Sequence, residues 1–350
     1  MTDTNWPPSF EGSTDPKYIV LIQSLRGAIL TGTLPVGEKL LPVREMAWQL
    51  GITPGTVARV YKMAVEEGLL ETTVGRGTFV ADRRPKPVLA PEPLVSISRS
   101  GDIDLRAVRV PDVGQDRIVR EIMARIGAGA GSSYLYCPDH HSDLLARQAV
   151  VNWIGSEIAG RITADDVVLT MGAQNAQMIA LQGSLHGANP VVLTEAVTFP
   201  GVRHAARLLR AEVVGVEMDR DGMRPDRLED ALRKHGGQVL VTSAAAHSPT
   251  TIQAPLARRQ EIAELARRYN LQIIEDDCYA ISETDMPSYR VLAPDRVWYL
   301  GSMTKAVSSA LRFGYLVPPE GRAQMARHVA QSNFYGVPQP IQDICAELIQ

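Results

Sequence analysis

The hydrophobic pattern of the first eighty residues predicts three helices. In the first helix, apolar side chains recur at helical spacing at Tyr18, Ile22, Leu25 and Ile29. Gly32 ends this helix. A second helix is predicted over residues 42–50. A third is predicted over residues 55–67, because Thr53 is a good N-cap residue and a proline follows it. This order of helix, short turn and capped helix is typical of a helix-turn-helix.

Two β-rich runs, 69–73 and 78–81, follow the third helix. The glycines of the intervening segment, 75–77, suit a tight turn, so the runs predict a β-hairpin. A hairpin after a helix-turn-helix is a wing. We therefore expect a disordered N-terminal arm over residues 1–16 and a winged helix-turn-helix over residues 17–82.

From residue 101 onward, short apolar runs alternate with helical stretches. The apolar runs, which predict buried strands, are 167–170, 190–193, 213–217, 238–241, 272–275, 297–300 and 313–317. The helical stretches are 175–185, 201–209, 226–234 and 258–269. This alternation predicts an α/β fold with βαβ units around a mainly parallel sheet, in which ligands bind at the carboxyl ends of the strands.

Residues 83–100 have neither helical nor strand period. The stretch is basic and rich in proline, with Arg83-Arg84-Pro85-Lys86-Pro87, Pro91 and Pro93. This composition predicts an extended linker between two domains. Its basic residues either contact the DNA backbone or form a solvated tether.

Composition narrows the class of protein. The 350 residues are 45% apolar, enough for the cores of two or three domains. A polar amino terminus and the lack of any run of eighteen apolar residues predict a cytoplasmic protein without a membrane span. Three separated cysteines favour neither zinc nor disulfides, and no metal is expected. The net charge is -3, but residues 17–86 carry ten Lys or Arg against six Asp or Glu, which permits DNA binding.

Four local sequences in the first domain resemble the GntR family, at residues 40–44, 56–61, 67–69 and 75–80. The resemblance implies DNA contacts from Arg44, Thr53, Thr56, Arg59, Arg76 and Gly77. Guanidinium groups suit phosphates or the O6 and N7 edge of guanine, and a glycine lets the wing backbone approach a groove. Pro54 and Gly55 stand where the family usually has Ser-Arg, which removes one basic contact.

The segment 301–315 resembles the lysine region of fold-type I pyridoxal-phosphate proteins. The resemblance implies that Lys305 forms the Schiff base with pyridoxal 5′-phosphate. It also implies that Asp276 pairs with the pyridine nitrogen and that Tyr279 donates to the phenolate oxygen. Considered without the resemblance, the acidic strand end around Asp276 also suits a solvated loop or a pair of metal ligands.

Two parts of this domain suit a phosphate. Gly172, Ala173 and Gln174 lie between a predicted strand and a helix, where free backbone N–H groups and the helix dipole favour an anion. A glycine in this place is also a common turn residue. Ser302 and Arg312 add a hydroxyl and a planar guanidinium, which complement phosphate oxygens.

Two aromatic residues resemble further cofactor contacts. Phe199 resembles the aromatic residue that stacks on the pyridine ring, and a role in the apolar core is the alternative. Tyr136 resembles the tyrosine that reaches the phosphate in the partner subunit, which implies a homodimer with composite sites.

A winged helix joined to an aminotransferase-like domain resembles the MocR subfamily of GntR regulators. The sequence departs from aminotransferases at Ser248, where they usually have the asparagine of Asn-Pro-Thr-Gly. His247 or Ser248 either replaces that asparagine or has a role in the turn. The chain also stops at Gln350, before the small domain that carries the arginine for a substrate carboxylate. We expect residues 101–350 to form an incomplete aminotransferase-like domain, either in a fragment or in a protein without that arginine.

These resemblances imply a transcriptional regulator that depends on pyridoxal phosphate. A small amino compound would react at Lys305 and change the binding of promoter DNA. The alternatives are an aminotransferase with an accessory DNA-binding domain and a sensor of pyridoxal phosphate itself. The altered segment at Ser248 and the missing arginine favour the regulator.

Overall fold

The computed structural model describes residues 6–10, 15–73, 75–82, 110–129, 134–279 and 286–349. Most of the predicted N-terminal arm and all of the predicted linker, 83–100, lie outside these ranges. The chain divides into two compact units, Met1–Val88 and Leu89–Gln350, and each is described by itself.

The first unit is a winged helix-turn-helix, as the sequence predicts. Its elements are α1 (Lys17–Leu30), α2 (Val43–Gln49), α3 (Pro54–Glu66), β1 (Leu70–Thr73) and β2 (Gly77–Val80). The strands pair antiparallel, with Leu70 opposite Val80. The apolar stripe of each helix faces one core, in which Leu21, Leu25, Val57 and Val60 are fully buried.

The second unit is built from alternating helices and strands. Before the first strand lie α4 (Gln115–Ala128), α5 (Leu144–Ile154), α6 (Ser156–Ala159) and a 3-10 turn (Ala164–Asp166). The strands are β3 (Val168–Thr170), β4 (Val191–Glu195), β5 (Glu212–Val216), β6 (Met218–Asp219), β7 (Gly222–Met223), β8 (Val239–Thr242), β9 (Gln272–Asp276), β10 (Val297–Ser302) and β11 (Gly314–Val317). The remaining helices are α7 (Ala173–Ser184), α8 (Pro200–Leu208), α9 (Pro225–His235), α10 (Leu256–Arg268), α11 (Tyr289–Leu292), α12 (Ala323–Phe334) and α13 (Gln339–Ile349).

The main sheet confirms the predicted mainly parallel α/β fold. Among the described residues its seven strands have the order β3-β11-β10-β9-β8-β4-β5. β11 runs antiparallel to both of its neighbours, and the other pairings in the sheet are parallel. Each predicted strand is present within three residues of its predicted ends. The short hairpin of β6 and β7 was not predicted.

Helices cover both faces of the sheet. Along β10, Trp298 and Leu300 point to a core shared with α7, whereas Tyr299 points to the opposite core shared with α5 and α13. Every residue of β4, β8, β10 and β11 is buried. This burial explains why the sequences of these strands are continuous apolar runs, without the alternation of apolar and polar residues that a strand with one solvated face shows. Within the described ranges, no helix is long and apolar enough to cross a membrane.

Candidate cofactor site and nucleic-acid interface

One loop carries three of the predicted cofactor residues. Ser302 is the last residue of β10, Lys305 and Arg312 follow it, and β11 begins at Gly314. The backbone N–H of Met303 donates to the carbonyl of Phe313 at 3.0 Å and closes the loop at its base. The loop therefore lies at the carboxyl end of β10, where ligands bind in this class of sheet.

This loop packs against the amino-terminal end of α7. Gly172, with φ +82°, precedes α7, and a Cβ added there would lie 3.4 Å from Nη2 of Arg312. A Cβ on Gly314 would lie 2.7 Å from the Cα of Gly172. Gly314 thus needs to be a glycine for the two chain segments to come this close, whereas Gly172 needs to be one because of its positive φ. Arg312 itself has φ +49°, an uncommon backbone conformation that here holds its guanidinium next to Gly172.

Hydroxyl groups complete this cluster, which we call the phosphate cup (Gly172, Ala173, Gln174, Ser302, Thr304 and Arg312). The Ser302 and Thr304 hydroxyl oxygens are 2.6 Å apart, and the Thr304 N–H donates to Ser302 Oγ at 3.0 Å. The first-turn N–H groups of a helix have no partner within the helix. Together with two hydroxyls and a guanidinium they form a suitable site for a phosphate dianion. The residues present therefore fit the phosphate of pyridoxal phosphate.

Gln174 and Phe199 lie together at one side of the cup. The Gln174 side-chain amide donates to the carbonyl of Gly201 at 3.1 Å. A Cβ on Gly201 would lie 2.2 Å from Cε1 of Phe199 and 2.2 Å from Oε1 of Gln174, so both side chains close over this glycine. The Phe199 side chain is 39% exposed. It is thus accessible to a ligand and does not take the alternative role in the core.

Lys305 and Tyr279 are in direct contact. The Lys305 amine lies over the Tyr279 ring, 3.7 Å from its centroid, an arrangement that stabilises a cation over an aromatic face. Asp276 ends β9 beside β10, and its Oδ1 accepts from the backbone N–H of Cys278 at 3.2 Å. Burial, followed by the negative charge of Asp276, raises the pKa of the Cys278 thiol well above its usual range. Cys278 is therefore a packed thiol rather than a reactive one.

The acids on either side of Asp276 are buried. The hydroxyl of Tyr299 donates to Asp277 Oδ2 at 2.7 Å, and burial raises the pKa of Asp277. Burial, followed by the charge of Asp277, raises the pKa of Glu275 to about 8. Glu275 is therefore mainly protonated at neutral pH. Because Glu275 and Asp277 are both buried, this strand end is not the solvated acidic loop that the sequence left as an alternative.

The loop that carries Ser248 is held by His247. The His247 N–H donates to the carbonyl of Ile252 at 3.0 Å, and its carbonyl accepts from Thr251 N at 2.7 Å. The His247 Nδ1 lies 2.6 Å from the hydroxyl of Thr250. The His247 side chain is only 3% exposed. Of the two roles left open for His247, the structure therefore supports the role in the turn.

Tyr136, a further predicted cofactor residue, lies on the surface of the second unit. It follows α4 on a surface segment, where Tyr136 is 78% exposed and Leu135 is 87% exposed. A contact with the phosphate of a partner subunit remains a prediction.

The predicted DNA-contacting residues lie on the surface of the winged helix. Arg44, Arg59 and Arg76 are exposed on α2, on α3 and before β2, respectively. The Thr53 side chain caps α3 by accepting from Thr56 N at 3.3 Å, and the two hydroxyl oxygens are 2.9 Å apart. This cap confirms the predicted start of the third helix.

Arg59 is held in place before any DNA binds. Its guanidinium lies 3.9 Å from the centroid of the Tyr18 ring, which projects from α1. The ring restricts the rotamers of the side chain and leaves the edge of the guanidinium available. Arg59 is thus a prepositioned cation on the helix that corresponds to a recognition helix.

Sequence reasoning missed Lys39 and Thr304. Gly77, with φ +121°, lies against Lys39, because a Cβ there would be 2.9 Å from the lysine Cε. Lys39 is exposed and pairs with Phe79 in an isolated bridge, which places a further cation beside the wing. No local pattern marks a contact between residues that are 38 positions apart in the sequence. Thr304 was detectable, because it directly precedes the lysine in the segment that carries the resemblance.

Comparisons with known proteins agree with both units. Residues 103–350 match the family "Aminotransferase class I and II", and residues 17–80 match "Bacterial regulatory proteins, gntR family". The chain is 27% identical to the uncharacterized HTH-type transcriptional regulator YdeF of Bacillus subtilis, over 90% of this chain and 67% of that protein. It is 26% identical to the probable rhizopine catabolism regulatory protein MocR of Rhizobium meliloti, over 91% of this chain and 69% of that protein.

A solved structure supports the fold of the second unit. The α-aminoadipate aminotransferase LysN of Thermus thermophilus, complexed with N-(5′-phosphopyridoxyl)-L-leucine, superposes with a TM-score of 0.61 at 25% identity. The match covers 68% of this chain and 62% of that one, so the chain spans about three fifths of the solved structure.

Fold and comparisons together define a GntR-type winged helix joined to an aminotransferase class I and II domain. The chain belongs to the aminotransferase class I and II family, and its N-terminal match to the gntR family gives it a domain arrangement that matches the MocR-type regulators to which it is similar.

Proposed function

We propose that this chain is a transcriptional regulator in which an amino compound, reacting at Lys305, changes the affinity for promoter DNA. One observation carries the proposal: exposed basic side chains on a winged helix and a phosphate cup next to a lysine occur in the same chain. A DNA-binding protein does not need the phosphate cup, and an aminotransferase does not need the winged helix. A regulator that reads the chemical state of a small molecule uses both.

The cofactor assigned to the cup is pyridoxal 5′-phosphate. Gly172, Ala173, Gln174, Ser302 and Arg312 would hold its phosphate, and Thr304 adds a hydroxyl to the same cluster. When bound, the cofactor supplies an aldehyde that reacts with primary amines. The phosphopyridoxyl ligand of the LysN structure supports this assignment, because that protein shares the fold of the second unit.

The remaining candidate residues surround the position of Lys305. Asp276 would orient the pyridine nitrogen, Tyr279 would donate to the phenolate oxygen, and Phe199 would cover one face of the ring. Support comes from the contact of Tyr279 with Lys305 and from the accessibility of Phe199. Lys305 competes with any incoming amine for the same aldehyde, and this competition makes the site sensitive to amines.

The loop at Ser248 favours a regulator over a working aminotransferase. Aminotransferases use an asparagine here, and this chain has a serine in a turn that His247 holds together. A site that lacks one ring-oxygen hydrogen bond can still bind an amine, but it stabilises the transition state of transamination less well. One alternative function is slow transamination, which the aminotransferase fold of the second unit supports. A second alternative is that the chain senses pyridoxal phosphate itself.

We assign the functional form as a homodimer that binds promoter DNA in the cytoplasm. Leu135, Tyr136 and Leu145 are large hydrophobic side chains that are all more than two thirds exposed, and Leu145 lines one cavity with Tyr134. Such a patch suits a subunit interface better than contact with water. A subunit contact there would also bring Tyr136 towards a second active site. Sedimentation of the wild type and of Leu145→Glu tests the assignment, with a shift towards monomer expected for the variant.

A spectral titration tests the function. Purified protein with pyridoxal phosphate should show visible absorption that amino compounds change, and Lys305→Ala should lack this response. The same samples are assayed for keto-acid formation. Turnover at ordinary enzyme rates would contradict a sensor without catalytic function, whereas spectral change with negligible turnover supports it.

A further inference from the structure

Arg259 is a charged residue that the proposed chemistry does not use, although the second unit encloses it completely. It lies in the first turn of α10, and only 1% of its surface is exposed. An arginine keeps its charge when it is buried, so hydrogen bonds must offset the cost of removing that charge from water. The partners of the guanidinium therefore indicate the role of this residue.

The guanidinium donates to the backbone carbonyls of three separate residues. Nε donates to Ala254 at 2.9 Å, Nη2 to Ala244 at 3.0 Å and Nη1 to Pro287 at 2.9 Å. Ala244 and Ala254 lie near the two ends of the loop between β8 and α10, and this loop carries Ser248. Pro287 lies beyond β9, on the segment that follows Tyr279. One side chain thus joins both ends of the loop to the chain beyond β9.

The shape of the guanidinium suits this task. The carbonyl of Ala244 accepts two hydrogen bonds, one from Arg259 and one from the Ala254 N–H at 2.9 Å, so the loop is closed at its base. Because the donors of an arginine lie in one plane with fixed directions, they hold the two loop ends and Pro287 in a fixed relation. A lysine ammonium is a point charge and does not reproduce this geometry.

The charge of Arg259 also acts on the two acids that flank Asp276 in the sequence. Burial is the main cause of the raised pKa of Glu275 and of Asp277, and the positive charge of Arg259 is among the influences that oppose it. The buried cation therefore belongs to the same neighbourhood as the strand end of the candidate cofactor site.

We propose that Arg259 is a positioning residue for the cofactor site: its guanidinium fixes the loop 244–254 and, through the loop, the place of Ser248. The part that concerns the cofactor rests on the proposed function, because only there does Ser248 stand where aminotransferases have their asparagine. The part that concerns the loop rests on the three hydrogen bonds of the guanidinium and needs neither cofactor nor DNA.

The preceding residue, Arg258, provides a matched control. It projects from the same turn of α10, but its guanidinium pairs with Asp219 at 3.0 Å and donates to the carbonyl of Met223 at 2.8 Å. These partners belong to the hairpin of β6 and β7 and not to the loop that carries Ser248. Substitution of each arginine should therefore loosen a different segment.

Hydrogen–deuterium exchange of the full-length, cofactor-free chain tests the effect on the loop. The reporters are the amides of His247, Thr251 and Ala254, which are hydrogen-bonded within the loop. Arg259→Met keeps an unbranched stem but no donor, so their protection should fall about tenfold or more relative to the amides of β9 and β10. Arg258→Met should leave the three amides as in the wild type. Equal loop protection in Arg259→Met and the wild type would overturn the proposal.

Arg259→Lys keeps the test decisive if Arg259→Met does not fold. The lysine retains the positive charge and the apolar stem but lacks the planar fork, so loop protection should stay severalfold below that of the wild type. If charge and packing were all that the arginine supplied, the lysine would restore wild-type protection. That result would contradict the proposal.

A parallel titration with pyridoxal phosphate separates this inference from the proposed function. Arg259→Lys should bind it about tenfold more weakly, the effect of one hydrogen bond, and should show altered circular dichroism of the visible band. Arg258→Lys should match the wild type in both measurements. A loosened loop in a chain that does not bind pyridoxal phosphate even as wild type would leave the loop role standing and refute the proposed function. A loosened loop with wild-type affinity and dichroism would refute the positioning role alone.

Discussion

The predicted DNA-reading surface (Arg44, Arg59 and Arg76) and the phosphate cup are built in opposite ways. On the winged helix, Arg44, Arg59 and Arg76 are exposed on three separate segments, α2, α3 and the turn before β2. In the cup, by contrast, Gly172, Ser302, Thr304 and Arg312 lie against one another, and Gly314 allows the backbone segments to approach. The first is a set of separate contacts, and the second is one connected cluster.

This difference predicts how each region responds to substitution. Separate, exposed contacts contribute additively, so the loss of one weakens DNA binding by a fraction of the total. Groups in one connected cluster are coupled, and removal of one disturbs the others. Substitutions in the cofactor site should therefore have larger effects than those on the DNA-reading surface.

Lys305→Ala should have the largest effect. It removes the amine that the proposed function assigns to the covalent bond with pyridoxal phosphate, and we expect complete loss of the protein-dependent visible absorption. Lys234→Ala, at an exposed site in the last turn of α9, is the control. Unchanged absorption in Lys305→Ala, with an intact far-ultraviolet spectrum in both variants, would remove Lys305 from this role.

Gly314→Ala tests whether the cup depends on close backbone approach. The new Cβ would lie 2.7 Å from the Cα of Gly172, so the loop must shift, and overpacking of this kind costs about 1–3 kcal/mol. We expect at least a tenfold loss in affinity for pyridoxal phosphate, measured by equilibrium dialysis. Gly127→Ala is the control, since its Cβ would meet no atom within 4 Å. Equal affinities in the two variants would show that the cup tolerates displacement.

Arg59→Ala should have a smaller effect. Loss of one cationic contact should weaken promoter binding severalfold and reduce the slope of log affinity against log salt by about one if the contact is to phosphate. Tyr18→Leu removes only the ring beneath the guanidinium and should weaken binding without altering that slope. Arg117→Ala, a residue paired with Glu121 in the other unit, is the control. A salt slope unchanged in Arg59→Ala would exclude a phosphate contact.

Thr53→Ala should have the smallest effect of the series. The variant loses the cap of α3, and helix N-cap residues contribute about 1 kcal/mol to the free energy of unfolding. Thr53→Ser keeps a hydroxyl and should retain most of this stability. Thermal unfolding of the full chain, followed at the transition of the winged helix, would measure the stability of both variants. Equal stability of the alanine and serine variants would mean that the cap contributes little.

Much of the fold could be predicted because its signals are local. Strands such as β4 and β10 read as continuous apolar runs, since helices cover both faces of the main sheet. Thr53 with the proline after it marked the start of α3. Helices α4, α5 and α12 were not predicted. They lie before the first strand or after the last strand of the main sheet, so they are not marked by a strand on each side.

Contacts between distant residues could not be predicted. The stacking of Arg59 on Tyr18 and the packing of Lys39 against Gly77 join segments that are about forty residues apart. The approach of His247 to Glu195 depends on β4 and β8 being neighbours in the sheet. The sequence offered His247 as one of two possible replacements for the asparagine of the aminotransferase pattern, but only the strand order shows which group it faces.

The central claim is that chemistry at Lys305 is coupled to DNA binding. The most direct test measures fluorescence anisotropy of a promoter duplex, selected in vitro by the protein loaded with pyridoxal phosphate. The probe is aminooxyacetate, a nucleophilic amine that competes with Lys305 for the aldehyde. We predict a change in the DNA dissociation constant of about 5-fold or more, which is the usual range of allosteric coupling, and no change for Lys305→Ala. Loss of the visible absorption of the wild type with unaltered DNA affinity would contradict the account.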